Sequence, residues 1–523
     1  MKKVLLVNGM FNIKKISEPL GISILASVIK KSTSYKVSIY DPCIDGDSVD
    51  IAYDKVLLEE HDVLGISVVG FKTEDIVNFL EKYKQSNRKT TIVIGGHGPS
   101  IRPELFLHDI VDAVFIGESE KSFIMYLDRL LKRETTKNLP GIAFKDSNGK
   151  IIINEPSERT DNLDDLPFMS RDVLFQLHKK FGDEIAAQII GSRGCYMNCS
   201  YCSVQSFSKL QKGKNYRERS VESIVEEMQN LYNTFRIRKF IFEDDNFVPR
   251  RLSDAREKID KFTRYIKRSE IKNLNFFIQC RPDNLHIDSI DELRKIGLRG
   301  IFTGIESINE DELKIYGRVA GVTDVIKKLR ELNEIGFKCD VNSTLRLNIG
   351  YIMFNPYSSR ETLMESVKFL REFNVTPKKL TVSIIPYYNT PIRRRIEKED
   401  LINEDGSIKF KNEEIRQIYS YLLKIINNIL DFREILRMPT KMKLELKLNL
   451  NDDFFNNLRV EFDKMCYDAF EELLNSRIED FSKIRDKYYT LVDNYRENDQ
   501  LVNKINDFYT SLNLKSNTKN IFR

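Results

Sequence analysis

Short apolar runs alternate with stretches of helical periodicity through the first 150 residues. Most of the apolar runs are four to seven residues long and end at glycine or at other turn residues. They predict strands at residues 4–7, 35–40, 63–69, 91–94 and 113–116, and helices at 20–30 and 73–85. Short buried strands separated by helices are typical of a parallel sheet with helices on both faces. We therefore predict a doubly wound, Rossmann-like α/β domain over residues 1–150.

A second alternating pattern follows an acidic segment that ends in proline. The segment at residues 161–167 predicts a linker, so we assign residues 151–185 to a connector. Beyond it the predicted strands are 188–190, 239–243, 275–279, 300–304, 345–353 and 380–386. Ser220 is the expected N-cap of a helix over residues 220–232. These elements predict a second α/β domain over residues 186–400.

The remainder, residues 401–523, reads as helical. Its pattern predicts long charged helices at 415–432, 452–475 and 478–512, which suit a cap or a substrate domain. Basic residues of the tail are expected to be solvated rather than to bind nucleic acid. These are Lys504, Lys515, Lys519 and Arg523.

Composition narrows the class of protein. Hydrophobic residues make up 41% and charged residues 31% of the 523 positions, and the net charge is only +5. Nothing in this balance points to nucleic acid. No run reaches the ~18 apolar residues of a membrane helix, and the apolar stretch near the N-terminus is too short for a signal peptide. Seven cysteines do not form a disulfide scaffold, and we expect a cytoplasmic protein.

Three of these cysteines form the most informative motif. Cys195, Cys199 and Cys202 lie in Gly-Ser-Arg-Gly-Cys-Tyr-Met-Asn-Cys-Ser-Tyr-Cys, residues 191–202, with C-x3-C-x2-C spacing. The same spacing would place them on one helix face, but the glycines and Asn198 disfavour a helix. Structural zinc takes four ligands, and three cysteines cannot all pair as disulfides. Spacing alone leaves these alternatives open.

The motif resembles the signature of the radical S-adenosylmethionine (SAM) superfamily, including the aromatic Tyr201 before the last cysteine. The resemblance implies that the three cysteines bind a [4Fe-4S] cluster whose fourth iron chelates SAM. It also implies an external electron donor of the flavodoxin or ferredoxin type, reductive cleavage of SAM to a 5′-deoxyadenosyl radical, and a partial (β/α)6 TIM-like barrel over residues 186–400.

Three loops before the motif extend the resemblance. Pro19-Leu20-Gly21, Gly95-Gly96-His97 and Gly117-Glu118-Ser119-Glu120 resemble the cobalamin-binding domain of cobalamin-dependent radical SAM enzymes. The residues so assigned to cobalamin are Leu20, Gly21, Gly95, Gly96, His97, Gly117 and Glu118. No Asp-x-His-x-x-Gly motif occurs, so we expect His97 to be an edge contact rather than a cobalt ligand. A domain that has lost cobalamin is the alternative.

Polar residues at the ends of the predicted barrel strands are similar to the SAM-binding segments of the superfamily. Glu243-Asp244-Asp245 occupies the place of the Gly-Gly-Glu segment that binds the SAM amine, although paired acids also cap helices. Arg281 suits the SAM carboxylate or a simple ion pair. The residues assigned to SAM are Tyr201, Glu243, Asp244, Arg281, Glu306 and Tyr351. No general acid or base is identified.

The resemblance implies methyl transfer to an unactivated carbon or phosphorus centre of a small molecule or peptide. Another radical rearrangement or cyclisation is one alternative. A methylthiotransferase is a second, but such enzymes need further N-terminal cysteines, and only Cys43 precedes Cys195. A non-catalytic iron–sulfur or corrinoid-binding module is the third.

Overall fold

The computed structural model describes residues 1–71, 73–86, 89–318, 321–340, 343–446 and 453–498, with side chains omitted for 433–446 and 453–456. The chain divides into two compact units. The first contains residues 1–303, 328–335 and 387–390, and the second contains 304–327, 336–386 and the part from 391 onward. None of the described helices combines the length and the apolar character that a membrane crossing requires.

A seven-stranded sheet opens the first unit. Its elements are β1 (Lys3–Asn8), α1 (Leu20–Ser32), β2 (Lys36–Tyr40), α2 (Val49–Leu57), β3 (Val63–Ser67), α3 (Glu74–Gln85), β4 (Thr91–Gly95), α4 (His97–Ile101), β5 (Ala113–Phe115), α5 (Glu120–Lys132), β6 (Ile142–Lys145) and β7 (Ile151–Ile153). The strand order is β2-β1-β3-β4-β5-β6-β7. The five strands β1 to β5 are parallel. The chain places β2 on one side of β1 and β3 on the other, and ligands in such sheets bind in the crevice at the carboxyl ends of the two strands where the order reverses, here β1 and β3.

The predicted strands and helices of this sheet are confirmed, but its last two strands were not predicted. The strands β6 and β7 form an antiparallel hairpin on the edge beside β5. The second of them, β7, lies just past residue 150, where the N-terminal domain was predicted to end. Its three isoleucines show no alternation, so their pattern carries no strand signal of period two.

The elements that follow form the second α/β region. They are α6 (Asp172–Phe181), β8 (Ala186–Ile189), β9 (Ser192–Arg193), α7 (Ser203–Ser208), β10 (Arg217–Glu218), α8 (Val221–Phe235), β11 (Lys239–Phe242), α9 (Leu252–Arg268), β12 (Asn275–Gln279), α10 (Ile287–Lys295), β13 (Leu298–Glu306), α11 (Glu310–Ile315), α12 (Val322–Glu334), β14 (Arg346–Tyr351), α13 (Arg360–Glu372) and α14 (Pro391–Lys398). The main sheet has the order β14-β13-β12-β11-β8, and β9 pairs with β10 in a separate ribbon. Ser220 caps α8, as predicted, by accepting a hydrogen bond from the Ser223 amide at 3.2 Å.

The prediction of a full sixth barrel strand at residues 380–386 is wrong. A 3₁₀ turn, Pro377–Thr381, occupies its first part, and a single parallel bridge joins Phe354 to Ser383. The Ile384 amide donates to the Phe354 carbonyl at 2.8 Å. The extended stretch is short because the turn precedes it and Pro386, which has no amide hydrogen, follows it.

Three helices dominate the C-terminal part of the second unit: α15 (Glu413–Leu446), α16 (Asp453–Asn475) and α17 (Phe481–Arg496). The predicted helix at 452–475 is confirmed, and α15 extends beyond its predicted end at residue 432. The end of the third predicted helix and the basic tail at 504–523 lie outside the described residues.

Candidate active site

The three motif cysteines share one loop between β9 and α7. Cys199 is buried, Cys195 and Cys202 are half-buried, and all three are free thiols. Cys202 is the N-cap residue of α7, and its amide donates to the Cys199 carbonyl at 3.2 Å. Gln205 on α7 donates its side-chain amide to the Cys195 carbonyl at 2.9 Å. The loop therefore wraps back on itself and is not the helical stripe considered above.

The chemistry of this donor set fits an iron–sulfur cluster. Burial raises the pKa of Cys195 and raises the pKa of Cys202 to about 11, and both thiols interact electrostatically with Cys199. Within the described residues no group of three His, Cys, Asp or Glu side chains converges tightly enough for a single metal ion. In a cuboidal cluster each thiolate binds a different iron, so three cysteines on one loop suit it.

Gly194 permits the backbone to enter this loop. Its φ is +76°, and a Cβ at this position would overlap the Asn215 carbonyl oxygen. The ribbon of β9 and β10 brings the two chain segments together, with Arg193 paired in register with Arg217. Any other residue at position 194 would have to push the two segments apart.

The acidic segment after β11 divides into three different environments. Glu243 is half-buried and lines a cavity beside Ser192 and Gly194. Asp244 is fully buried, and its Oδ1 accepts hydrogen bonds from the Gly191 amide at 2.6 Å and the Ser192 amide at 2.8 Å. Burial raises the pKa of Asp244 to about 6. Asp244 thus holds the turn before the cysteine loop, and the prediction that it also binds SAM stays a prediction.

Asp245 was not among the residues assigned to SAM, yet it lines the same cavity as Glu243. Its carboxylate interacts electrostatically with Cys195 and Cys202. The sequence indicated that the segment containing this residue would lie at the site. What it did not signal was which members of the segment face the cavity.

Arg281 lies next to the cysteine loop. Its Nη1 donates to Cys199 Sγ at 3.6 Å, and the same guanidinium pairs with Asp283 at 3.0 Å. Its backbone amide donates to Asn246 Oδ1 at 3.3 Å. The ion pair that was one of two predictions for Arg281 is therefore present, and a SAM carboxylate contact remains a prediction. Tyr201 is half-buried in the turn before α7.

Glu306 and Tyr351 belong to the second unit. Glu306 has a φ of +69°, and its Oε1 accepts a hydrogen bond from Arg318 Nη1 at 3.4 Å. Tyr351 is 2% exposed, donates its hydroxyl to Ser366 Oγ at 2.7 Å and stacks on Phe369. Its ring packs against α13, and a contact of Tyr351 with SAM stays a prediction.

A cavity of about 440 Å³ lies at the carboxyl ends of the N-terminal strands. One wall comes from the loops after β3, β4 and β5, and the opposite wall comes from Ser192, Arg193, Gly194, Glu243 and Asp245. Its lining is mainly apolar. Of the seven residues assigned to cobalamin, six line this cavity: Gly21, Gly95, Gly96, His97, Gly117 and Glu118. Leu20 instead packs against the small apolar cluster of Ile24, Val28 and Met169.

Two observations indicate that this cavity fits a large, partly apolar cofactor such as cobalamin. A Cβ on Gly21 would meet no atom within 4 Å, so open space faces this residue. Two buried side-chain atoms on the wall, Ser192 Oγ and His97 Nε2, have no hydrogen-bond partner in the structure. Buried polar groups are normally paired, so partners from a bound molecule are expected there.

His97 begins α4 and its ring stacks on Phe207 of α7, with centroids 5.2 Å apart and planes 12° apart. Burial lowers the pKa of His97. The Gly96 before it has a φ of +106°, and a Cβ there would overlap the Val68 carbonyl. The turn itself therefore requires this glycine. Nothing in the sequence indicated that Phe207 would pack on His97.

Glu118 is held by two arginines. Its carboxylate accepts hydrogen bonds from Arg193 Nη1 at 2.8 Å and from Arg217 Nη1 at 3.0 Å. Arg193 also pairs with Glu120 at 2.7 Å. The Gln211 side chain binds both backbone polar groups of Glu118. It accepts a hydrogen bond from the amide at 2.6 Å and donates one to the carbonyl at 2.9 Å. These contacts tie the loop after β5 to the segments on both sides of the cysteine loop.

A network of ion pairs and hydrogen bonds connects Glu18, near the N-terminus, to Glu243. Glu18 pairs with Arg171 at 2.6 Å, and Arg171 pairs with Glu227 at 2.9 Å. The Glu18 amide donates to Gln188 Oε1 at 2.7 Å, and Gln188 Nε2 donates to Glu243 Oε1 at 2.6 Å. The sequence analysis missed Gln188, although a polar residue inside the apolar strand β8 was a readable signal.

Comparisons with known proteins agree with this arrangement. Residues 189–370 match the family model of the radical SAM superfamily, and residues 9–125 match that of the B12 binding domain. An uncharacterised methyltransferase of Pyrococcus horikoshii is 26% identical over 71% of this chain and 77% of its own length. The 4′-phospho-dehydrooxetanocin synthase of Priestia megaterium is 23% identical over 83% of this chain. Cytidylyl-2-hydroxyethylphosphonate methyltransferase of Streptomyces wedmorensis is 28% identical over 50% of this chain.

The chain spans only 58% of the length of each of the last two relatives. Among solved structures, the cobalamin-dependent SAM radical enzyme OxsB, with aqua-cobalamin and SAM bound, aligns with a TM-score of 0.77 at 18% identity over 98% of this chain and 84% of its own. The methyltransferase TsrM of Kitasatospora setae aligns with a TM-score of 0.58 at 15% identity, covering 78% of this chain and 85% of its own. These two likenesses show the fold.

Proposed function

We propose that this chain, a member of the cobalamin-dependent radical SAM family, catalyses methyl transfer to an unactivated carbon or phosphorus centre of a small molecule or peptide. Its cofactors are a [4Fe-4S] cluster, SAM and cobalamin, and enzymes of this superfamily draw electrons from external donors. When bound, these groups supply the electron that cleaves SAM and the metal that carries a methyl group. The protein supplies binding, orientation and the exclusion of solvent.

One observation carries the proposal: a single cavity is walled by both cofactor regions. The glycine loops after β4 and β5 face Arg193 and Gly194, which lead directly into Cys195. A methyl carrier and a radical generator must act on the same substrate atom, so they need to open into a common space. The shared cavity supports that requirement.

The chain's own residues have distinct roles in this proposal. Cys195, Cys199 and Cys202 bind the cluster. Glu243 accepts hydrogen bonds from the SAM amine, since its carboxylate faces the cavity while Asp244 is turned into the protein. Asp245 adds a second carboxylate beside the cysteines.

The residues that would hold cobalamin in this proposal are those of the mainly apolar lining, among them Gly21, Gly95, Gly96 and Gly117. His97 would contact its edge.

A radical rearrangement or cyclisation without methyl transfer is the second candidate. The relative that matches 83% of this chain is named a synthase, whereas the methyltransferases match smaller shares of it. Both reactions begin with the same cleavage of SAM. They differ in whether the SAM methyl group leaves its sulfur.

The products of SAM separate the two candidates. We expect anaerobically reconstituted protein with cobalamin, SAM and dithionite to form both 5′-deoxyadenosine and S-adenosylhomocysteine, quantified by mass spectrometry. Transfer of the SAM methyl leaves S-adenosylhomocysteine, so 5′-deoxyadenosine alone would favour the rearrangement. If neither 5′-deoxyadenosine nor S-adenosylhomocysteine forms, the assignment of the protein as an enzyme is overturned.

Matched cysteine variants control the experiment. Cys199→Ala removes a cluster ligand and should abolish 5′-deoxyadenosine. Cys339→Ala removes a half-buried thiol outside the cysteine loop and should leave its formation unchanged. Iron analysis tests the methylthiotransferase alternative, because one cluster requires about four irons per chain and a second cluster would raise the count to about eight.

A further inference from the structure

The carboxylate of Glu243 has a single hydrogen-bond donor among the described residues, and that donor is Gln188. The Nε2–Oε1 distance is 2.6 Å. Gln188 lies at the third position of β8, next to β11 in the parallel sheet, and is 9% exposed. A carboxylate with one short hydrogen bond on one oxygen keeps the other oxygen free to face the cavity.

The direction of the Gln188 amide is determined by its other partner. The Glu18 backbone amide lies 2.7 Å from Gln188 Oε1 and can only donate, so this end of the side chain must be the carbonyl. The NH₂ end must therefore face Glu243. Gln188 accordingly offers Glu243 a donor and never a competing acceptor.

Glu18 is itself immobilised. Its carboxylate pairs with Arg171, whose guanidinium also pairs with Glu227 and donates to the backbone carbonyl of Gln188 at 3.1 Å. Arg219 also pairs with Glu227, so two guanidiniums balance the carboxylates of Glu18 and Glu227 in this largely buried cluster. The rigid cluster fixes Gln188, and Gln188 fixes one oxygen of Glu243.

We infer that Gln188 is a positioning residue for SAM: it orients the Glu243 carboxylate so that the remaining oxygen meets the SAM amine. This inference rests on the proposed function, in which Glu243 binds that amine. Gln188 acts through Glu243 and does not touch SAM. Its effect must therefore disappear when Glu243 no longer carries a carboxylate.

The test is a double-mutant cycle read by SAM affinity. The dissociation constant is measured by equilibrium dialysis with radiolabelled SAM on anaerobically reconstituted protein without reductant, so that no turnover occurs. We expect Gln188→Leu to weaken SAM binding about tenfold, equivalent to about 1.4 kcal/mol. Glu243→Gln should weaken it at least as much. The Gln188→Leu/Glu243→Gln double variant should match Glu243→Gln alone within about twofold.

Two further variants guard the interpretation. Gln188→Leu leaves the Glu18 amide without an acceptor, whereas Gln188→Met keeps a weak sulfur acceptor there and also removes the donor to Glu243, so it replaces the leucine variant if that one does not fold. Gln229→Leu alters a hydrogen-bonded glutamine on α8 outside the cavity and should leave SAM affinity unchanged. Iron content and bound cobalamin report whether each variant is folded.

The outcomes are distinguishable. An unchanged affinity in the folded Gln188 variants overturns the inference, as does a full additional loss in the double variant or an unchanged affinity in Glu243→Gln. In those cases 5′-deoxyadenosine formation by the wild type still stands as support for the proposed function. A wild type that binds no SAM overturns both.

Discussion

Glu118 accepts a hydrogen bond from Arg193 at 2.8 Å, and this contact joins the loop after the fifth N-terminal strand to the residue two positions before Cys195. The side chains of both residues are largely buried, with 15% exposure each. Arg193 and Arg217 donate hydrogen bonds to this carboxylate, and Gln211 bonds to the backbone of Glu118. The assignment of Glu118 to cobalamin stays a prediction.

Removing the negative charge of Glu118 should destabilise both loops. In Glu118→Gln the guanidinium of Arg217 loses its carboxylate partner, and such a loss from a buried pair costs about 3–5 kcal/mol. We expect a lower melting temperature, and faster amide hydrogen exchange in residues 117–120 and 192–195 together. Asp128→Asn breaks an exposed pair with Lys132 and should cost at most about 0.5 kcal/mol. Faster exchange in only one loop would show that the contact does not couple them.

Two glycines with nearly equal φ angles separate backbone strain from steric overlap. Gly194 and Gly149 have φ of +76° and +77°, but only at Gly194 would a Cβ overlap another atom, the Asn215 carbonyl. Both alanine variants pay about 1 kcal/mol for the left-handed conformation. We expect Gly194→Ala also to lose most of its bound iron, measured after anaerobic reconstitution. Gly149→Ala should retain it. Equal iron in both variants would contradict the steric explanation.

Asp244 should make stability depend on pH in a predictable direction. Burial raises its pKa to about 6 from the ordinary value of 3.8, so the folded state holds the proton more tightly than the unfolded state. This contribution is fully present below pH 4 and is lost as the pH rises through about 6. Asp244→Asn keeps an acceptor for Gly191 and Ser192 but cannot ionise.

The stability of the wild type relative to Asp244→Asn should therefore fall between pH 4 and pH 6, by at most about 3 kcal/mol. Thermal melts across that range measure the difference. Asp254→Asn, which removes an exposed carboxylate from the first turn of α9, should show no such trend. A difference that grows with pH would reverse the sign and contradict the burial argument.

His97 is expected to contact the edge of cobalamin without binding cobalt, because its ring is stacked on Phe207 and no Asp-x-His-x-x-Gly motif occurs. His97→Phe keeps a flat ring for the stack, so cobalamin affinity should change by no more than about threefold. Electron paramagnetic resonance of the Co(II) form should show no imidazole nitrogen splitting in either protein. Splitting that is present in the wild type and lost in the variant would identify His97 as a ligand.

Much of the fold was predictable because apolar periodicity and burial coincide. The runs at 91–94 and 275–279 became β4 and β12 almost residue for residue. Prediction failed where neighbours rather than local pattern decide the structure. The isoleucines of β7 form a strand only because β6 pairs with them, and the stretch near Ser383 forms a single bridge because a 3₁₀ turn occupies the start of the expected strand.

For the site, spacing along the chain identified the cysteine loop but not the direction of side chains around it. Glu243, Asp244 and Asp245 are three consecutive acidic residues that the sequence does not distinguish. In the structure the carboxylate of Asp244 is buried in the protein, whereas Glu243 and Asp245 line the cavity. Gln188 and Gln211 act across 55 and 93 residues of chain. The polar Gln188 inside an apolar strand was a local signal, but the partners of both glutamines depend on the assembled sheets and could not be read from the sequence.

The clamp that Gln211 places on Glu118 limits how freely this protein can be divided or recombined. An N-terminal fragment cut at residue 150 would keep its parallel strands but lose Gln211, Arg193 and Arg217, which hold its last glycine loop. A chimaera that exchanges the corrinoid module between relatives would need to carry residues 193–217 along with it. The segment that must be transferred to keep this cavity intact is thus longer than the domain whose strands surround it.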